Sequence, residues 1–189
     1  MSFLQLAKDR YSMRKFSDKP VEQDELDLIL EAGRIAPTAH NSQPQRILVL
    51  NTPEEMELLA KCCPFRFHQT LALVVCYEKE VSWKRKDYDN ADSGEVDMGI
   101  VGTHMILQAS ELGIGSTWVM HFDPQAVRRE FHIPEALVPM AILMMGYPRE
   151  DAKPSRLHND RFELSKTVFY HTFQAVSYTH LTLPTIYSV

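Results

Sequence analysis

Residues 94–112 read GEVDMGIVGTHMILQASEL and predict the longest helix of the chain. Its apolar residues lie on nearly every side of the predicted helix: Val96, Met98, Ile100, Val101, Met105, Ile106, Leu107 and Leu112. A helix that is apolar all round is usually buried on all sides, either in a core or in an oligomer interface. Gly99, Gly102 and Ala109 have little or no side chain, so they would allow close approach by another element.

Helix and strand patterns alternate on both sides of this segment. Further helices are predicted at about residues 2–8, 22–35 and 123–131 and from residue 53 onward, and strands at 45–50, 71–77, 116–120 and 139–145. The run 71–77 is continuously apolar, which is typical of a strand buried on both faces. The order of the elements predicts one α+β domain over residues 1–176, with a sheet packed by helices.

Composition restricts the classes of protein to consider. The chain has 189 residues, of which 44% are hydrophobic and 24% charged, as in ordinary globular domains. A net charge of −5 argues against a nucleic-acid partner. Cys62, Cys63 and Cys76 are odd in number and two are adjacent, so a reduced, cytoplasmic setting is expected rather than a disulfide framework. No apolar stretch reaches the ~20 residues that span a bilayer, so no membrane contact is expected.

The end of the chain has a different character. No charged residue follows Lys166, and residues 177–189 read SYTHLTLPTIYSV without a helical period. This stretch resembles a tail that comes from translated adapter sequence on unrelated reading frames. We therefore expect residues 177–189 to be a non-native tail, with a short native β-arm as the alternative.

A basic segment near the start of the chain could bind phosphate. Residues 10–16 read RYSMRKF, and in an extended segment Arg10, Ser12 and Arg14 would point the same way. Two guanidinium groups and a hydroxyl suit a phosphate dianion. Because the chain has only seven glycines, a glycine-rich phosphate loop is not expected. The alternative is that these residues are simply solvated.

A polar loop precedes the first predicted strand. Residues 36–44 read APTAHNSQP, and the amides of Asn41 and Gln43 each carry donors and an acceptor. That pattern matches the edge of a heterocycle with alternating N–H and C=O groups, such as the pyrimidine end of a flavin. The alternative is an ordinary turn, because proline, asparagine and serine are common turn residues.

Three other sequence motifs for binding or catalysis are incomplete or absent. Residues 113–115 begin like a dinucleotide fingerprint, but Trp118 stands where the third glycine belongs, and a helix precedes the strand instead of following it. Cys62, Cys63 and His68 lack a second pair of ligands at zinc spacing, so no metal site is expected. No Gly-x-Ser-x-Gly nucleophile motif is present.

Four segments, in order, resemble the nitroreductase family of FMN-dependent oxidoreductases. They are residues 10–16, residues 31–44, residues 112–118, and residues 146–148 with Arg161 ahead of residues 167–170. The resemblance covers residues 4–170. It implies an α+β nitroreductase-like fold, with a central, mostly antiparallel sheet surrounded by helices and a homodimer built on the long buried helix.

The resemblance also implies roles for particular residues. Arg10, Ser12 and Arg14 match positions that bind the FMN phosphate and ribityl chain, and Arg161 matches a late basic residue that reaches the phosphate. The loop that the partner subunit places near the flavin ring is matched by Pro37, Thr38, Ala39, Asn41 and Gln43, and the segment lining the ring face by Trp118, Met120 and His121. Two positions depart from some relatives: Asn159 replaces a lysine, and Met120 replaces a glutamate near the reactive edge of the ring.

The implied activity needs no protein nucleophile, because the flavin carries the redox chemistry. The family pattern is ping-pong: NAD(P)H reduces FMN, and a small acceptor such as a nitroaromatic or a quinone then binds over the same ring face. The partners expected are NAD(P)H, the acceptor and a second copy of the chain that shares two FMN sites. The alternatives within the fold are flavin fragmentation and reductive dehalogenation. A third alternative is a flavin-binding protein without turnover.

Overall fold

The computed structural model describes residues 1–173, which divide into a unit Met1–Ser155 and a second unit that starts at Arg156. The first unit contains α1 (Phe3–Asp9), α2 (Gln23–Arg34), β1 (Gln45–Leu50), α3 (Pro53–Cys62), β2 (Leu71–Glu78), α4 (Gly94–Glu111), β3 (Gly115–Val119), α5 (Pro124–Glu130) and β4 (Leu137–Gly146). The described part of the second unit contains one short helix, α6 (Leu164–Thr167). The tail predicted at residues 177–189 lies outside the described residues.

The four strands form an antiparallel sheet in the order β1-β2-β4-β3, which confirms the predicted α+β fold. Strand β2 lies inside the sheet, with Val74 paired to Leu48 on one side and to Ile142 on the other. Val74 and its alternate neighbours face a core cluster built with α3 and α5, whereas Leu73 and Val75 face a second cluster built with α2 and α4. Burial on both faces explains the continuous apolar run of β2.

Strand β4 begins at Leu137, two residues before the predicted start at residue 139. Proline weakens a strand prediction because it has no N–H to donate. The structure accommodates Pro139 with a bulge: Cys76 pairs with Pro139 and Val75 with Ala141, so one residue of β4 is extra. In addition, β3 pairs only with residues 142–146, so Pro139 lies where β4 has a single neighbouring strand.

Helix α4 lies against one face of the sheet and packs closely at Gly102. A Cβ atom at Gly102 would lie 2.3 Å from Cζ3 of the Trp118 ring, so any larger residue would displace the ring. Glycine is therefore required by the contact between α4 and β3, as the small-residue pattern predicted. Ala109, another of the predicted small positions, is fully buried.

The prediction that α4 is buried on all sides is not met by one chain alone. Val96 is 66% exposed, and Thr103 is also exposed. A Cβ atom at Gly99 would have no neighbouring atom within 4 Å. The sheet and α2 cover one side of the helix, while the side that carries these three residues has no covering element in the described part of the chain.

Three further features concern the described residues. None of their helices is both long enough and apolar enough to cross a membrane. No group of three or more His, Cys, Asp or Glu side chains among them could hold a metal ion. Cys62, Cys63 and Cys76 are free and buried, and burial raises the pKa of each thiol.

Candidate functional site

The basic segment, residues 10–16, is an extended arm on the free edge of β3. Helix α1 ends at Asp9 because the next residue, Arg10, has extended backbone angles (φ −62°, ψ 124°). Ser12 then forms a parallel bridge with Ser116, and the N–H of Met13 donates to the carbonyl of Ser116 at 2.9 Å. The arm is therefore extended, which is the condition on which the proposed grouping of Arg10, Ser12 and Arg14 depends.

The basic arm has two buried side chains, with exposed ones between them. Met13 and Phe16 are buried, whereas Ser12 is half-buried and Arg14 is exposed. Met13 packs so tightly on β3 that a Cβ atom at Gly115 would lie 2.1 Å from the Met13 sulfur. The apolar contacts therefore hold the arm in place, and the polar side chains are left for other partners.

A cavity of about 150 Å³ lies beside the basic arm. It is lined by Asp9, Arg10, Tyr11, Met13, Ser110, Gly113, Ile114, Gly115 and Ser116. Its nearby backbone donors are already used: the N–H of Gly113 donates to Ser110 at 3.1 Å, and that of Ile114 to Ala109 at 2.8 Å. An anion here would therefore be bound by side chains rather than by a nest of backbone N–H groups.

Of the two arginines of the basic arm, Arg10 lines this cavity and Arg14 does not. The cavity lies at the C-terminal end of α4, where the helix dipole places roughly half a negative charge, and Asp9 also lines it. Arg14 donates to the carbonyl of Ser12 at 3.2 Å and forms no salt bridge with any residue of the range 1–173. Burial at the same place raises the pKa of Tyr11. Arg10 therefore supplies the positive charge at the wall of the cavity, opposed there by Asp9 and the end of α4.

Lys15, the third cation of the arm, is bound elsewhere. Its ammonium group lies 2.6 Å from Asp151, which also accepts from the guanidinium of Arg149 at 2.5 Å. Arg149 and then Lys15 hold the pKa of Asp151 well below its usual range. The N–H of Arg149 also donates to the carbonyl of Lys15 at 3.2 Å, so residues after β4 fasten the far end of the arm.

The predicted flavin-edge segment, which we call the polar loop (residues 37–44), has a strained backbone. Its 3₁₀ turn spans Ala39–Asn41, and His40, Asn41 and Gln43 have φ angles of 55°, 53° and 48°. Left-handed conformations cost non-glycine residues roughly 1 kcal/mol or more each. Thr38 stabilises the loop internally, because its hydroxyl accepts from the N–H of Gln43 at 3.0 Å and its carbonyl from that of Asn41 at 2.9 Å. Pro37 is exposed at the start of the loop.

Sequence reasoning missed the residue that fastens this loop. Asp97 of α4 is only 2% exposed, and its carboxylate accepts from the N–H of Ala39 at 2.9 Å and from the hydroxyl of Ser93 at 2.8 Å. The signal was an acidic residue on the buried side of an otherwise apolar helix, because a buried carboxylate requires hydrogen-bond donors. A second missed contact is the stacking of Trp83 on His40, with ring centroids 5.9 Å apart.

The segment after β3 combines a fixed residue with open ones. The Trp118 ring packs on Gly102, whereas Met120 is 66% exposed and His121 is also exposed. The His121 ring lies 6.0 Å from the ring of Phe65. Met120 and His121 follow Trp118 by two and three residues, after the end of β3, and thus present an open surface beside a fixed tryptophan.

The structure brings some predicted site residues together and separates others. The basic arm and the Trp118 segment meet at Ser116 of β3. The polar loop instead contacts α4 at Asp97, whereas the cavity beside the arm reaches α4 at Ser110. Thirteen residues of helix separate these two positions, which corresponds to about 20 Å. Within one chain, the arm and the loop therefore lie toward opposite ends of α4.

Arg161 belongs to the second unit. Its guanidinium donates to the carbonyls of Leu157 at 3.2 Å and of Asp160 at 2.7 Å. Its predicted contact with a phosphate remains a prediction, as does the effect of Asn159 two residues before it.

Comparisons with known proteins all lead to one family. A sequence model described as "Nitroreductase family" matches residues 7–64 and 61–147. The crystal structure of a nitroreductase family protein from Clostridium difficile 630 is 41% identical, with a TM-score of 0.85, and the match covers 92% of this chain and 100% of that one. An FMN-dependent nitroreductase from Clostridium difficile R20291 is 26% identical, with a TM-score of 0.75, over 90% and 100%. An FMN reductase (NAD(P)H) of Bacillus subtilis is 25% identical over 84% of this chain and 71% of the relative.

Proposed function

The chain belongs to the nitroreductase family, and from that premise we propose that it is an FMN-dependent oxidoreductase that uses NAD(P)H to reduce small acceptors such as nitroaromatics and quinones. Family membership gives the general activity of an NAD(P)H-dependent flavin oxidoreductase. The class of acceptor, the residues of the site and its sharing between two chains are our proposals. The observation that carries them is the basic arm held over a cavity at the end of α4.

The residues present fit one end of FMN. A cavity of about 150 Å³ is smaller than the roughly 300–1,000 Å³ of a pocket that encloses a whole ligand, but it has room for a phosphate group. Arginine binds phosphate oxygens through paired N–H donors, and the hydroxyl of Ser12 adds another donor. Arg10 lines the cavity, whereas Ser12 and Arg14 belong to the same arm outside its lining, and we propose that these three residues hold the phosphate where the arm borders the cavity. The flavin ring must then lie outside this cavity.

The ring would lie in a site shared by two copies of the chain. The loop residues Asn41 and Gln43 lie toward the opposite end of α4 from the arm, about 20 Å along the helix. Because one chain separates its arm from its loop, we propose that the loop of a second copy completes each site, with Pro37, Thr38, Ala39, Asn41 and Gln43 beside the ring. The uncovered side of α4, which includes Val96 and Gly99, supports a homodimer contact there.

The chain's own residues bind and orient rather than react. When bound, FMN supplies the chemistry by accepting a hydride from NAD(P)H and passing electrons to the acceptor in a second half-reaction. Arg10 and Arg14 neutralise the phosphate, and Trp118, fixed against Gly102, provides a rigid wall for the ring. Asn41 and Gln43 can each donate and accept hydrogen bonds. Met120 places an uncharged, exposed side chain where some relatives carry a carboxylate, so no negative charge at that position repels an electron-rich ring.

An anaerobic titration tests the proposed function directly. The purified protein, loaded with FMN, is titrated with NADH and with NADPH, and its flavin absorbance is followed. We expect at least one nicotinamide to bleach the colour and a nitroaromatic or quinone to restore it. A protein that takes up no FMN, or whose FMN neither nicotinamide reduces, would contradict the proposal. Product analysis in air separates flavin fragmentation, since only that reaction consumes the ring.

Mixing two inactive variants tests the shared site. One variant carries Arg10→Ala with Arg14→Ala, and the other carries Asn41→Ala with Gln43→Ala. If each site combines the arm of one chain with the loop of the other, every mixed dimer has one intact site. Random reassociation makes about half of the dimers mixed, so about a quarter of the sites should be restored. No recovery, although mixed dimers form, would show that each chain builds its own site.

A further inference from the structure

Asp97 is unusual among the described residues because it is an acidic side chain that is buried. It is 2% exposed, while the other buried polar side chains, Ser82, Ser116 and Thr117, are uncharged. A buried carboxylate is costly unless donors satisfy it. Asp97 lies in the first turn of α4, where the helix dipole favours a negative charge, and it accepts from the hydroxyl of Ser93 at 2.8 Å. Its own helix therefore stabilises the charge, and its second oxygen is available to the polar loop.

That second oxygen attaches the middle of the polar loop to α4, while the Trp83 ring stacks on His40 and the carbonyls of Gln43 and Pro44 accept hydrogen bonds at the end of the loop. Between residues 38 and 42, the bond from the N–H of Ala39 to Asp97 is the only hydrogen bond that joins the loop to another described residue. The other bonds of this stretch close the loop on itself through Thr38 and Ala39. A loop with left-handed residues at His40, Asn41 and Gln43 is not held by local preference, so it needs an external contact.

We propose that Asp97 is a positioning residue: its carboxylate fixes the polar loop on α4 so that Asn41 and Gln43 meet the flavin in a single conformation. The inference rests on the proposed function and adds to it a residue that itself does not contact the ring. Because the bond to Ala39 is far along α4 from the basic arm, loss of Asp97 should disturb the loop and leave phosphate binding unchanged. The two effects can therefore be measured separately.

Amide hydrogen exchange of the full chain without flavin tests the hold on the loop. The informative amides are those of Asn41 and Gln43, because they bond to Thr38 and do not touch Asp97. A hydrogen bond to a charged group is strong enough that Asp97→Ala should accelerate their exchange by about 10- to 100-fold. The exchange rates of the amides in β2 and β4 should stay within about twofold of their values in the wild-type protein. Acceleration confined to Ala39, or spread equally over the sheet, would overturn the proposal.

Two variants serve as controls. Ser93→Ala removes the other donor of Asp97 and no bond of the loop, so Asn41 and Gln43 should keep their protection. Asp97→Asn keeps a carbonyl acceptor for Ala39 but without charge, so it should accelerate exchange by only about two- to fivefold. If Asp97→Ala does not fold, Asp97→Asn tests the proposal by itself. Exchange of the Asn41 and Gln43 amides at the wild-type rate in Asp97→Asn would then refute the positioning role of Asp97.

A second readout uses the FMN-loaded protein. With excess FMN, Asp97→Ala should bind the cofactor with a Kd within about threefold of the wild type, while kcat with NADPH falls roughly tenfold or more. Asp97→Asn should recover most of this loss. An unchanged kcat in Asp97→Ala would refute the effect on the site. A wild-type protein that takes up no FMN would instead refute the proposed function, and the exchange experiment would still decide whether Asp97 fixes the loop.

Discussion

The clearest prediction concerns Arg14→Ala and the binding of the FMN phosphate. Arg14 is exposed, follows the cavity-lining residue Met13 and forms no salt bridge with any residue of the range 1–173, so its guanidinium is available to a phosphate bound where the arm borders the cavity. A charge-assisted hydrogen bond contributes about 1.5–3 kcal/mol, so the Kd for FMN should rise by about 10- to 150-fold.

Flavin fluorescence quenching measures this effect, and riboflavin, which lacks the phosphate, is the matched ligand. Its Kd should change by less than about twofold in Arg14→Ala, because the variant removes only a phosphate partner. Lys15→Ala is the matched variant: Lys15 is already paired with Asp151, so its loss should leave the Kd for FMN within about twofold. Equal weakening of FMN and riboflavin by Arg14→Ala would refute the reasoning, and so would an equal effect of Lys15→Ala on FMN.

Three further predictions concern the scaffold. Gly102→Val should destabilise the protein by about 1–3 kcal/mol in chemical denaturation, because its Cβ would lie 2.3 Å from the Trp118 ring; unchanged stability would contradict that packing. Glu55→Gln should lower the free energy of unfolding by about 1 kcal/mol at pH 7. Burial raises the pKa of Glu55, but hydrogen bonds from the backbone N–H groups of Thr52 and Asn51 have the larger effect, so its pKa is lowered. The stability from this lowered pKa is complete above the unfolded value of about 4.3 and is lost as the pH falls through the folded value, so the two proteins should converge in acid. Burial raises the pKa of Cys76 to about 11, so a thiol reagent at pH 8 should label it only after unfolding; rapid labelling of the native protein would disprove its burial.

The features predicted correctly from the sequence depend on short-range periodicity. The buried strand β2 follows from the continuous apolar run at residues 71–77, and it appears in the structure. The close approach at Gly102 was also predictable, because a small residue in an apolar helix indicates a tight contact. The bulge at Pro139 was not predictable, because it depends on which strand pairs with β4 at that residue.

The site was predictable as a set of motifs but not as an arrangement. Nothing in residues 36–44 indicates that Asp97, more than 50 positions later, accepts the N–H of Ala39. Likewise, Lys15 looks equivalent to Arg14 until the fold brings Asp151 beside it. Such pairings are set by tertiary contacts between distant segments, and a single sequence carries no local pattern for them.

The position of the basic arm also protects the sheet. β3 is an edge strand, and an unpaired edge can recruit a strand from another molecule and start aggregation. By pairing Ser12 and Met13 with Ser116, the arm covers part of that edge with the chain's own backbone. Removal of residues 1–16 would thus expose a template for intermolecular β-pairing, so a truncation meant only to abolish cofactor binding would also reduce solubility.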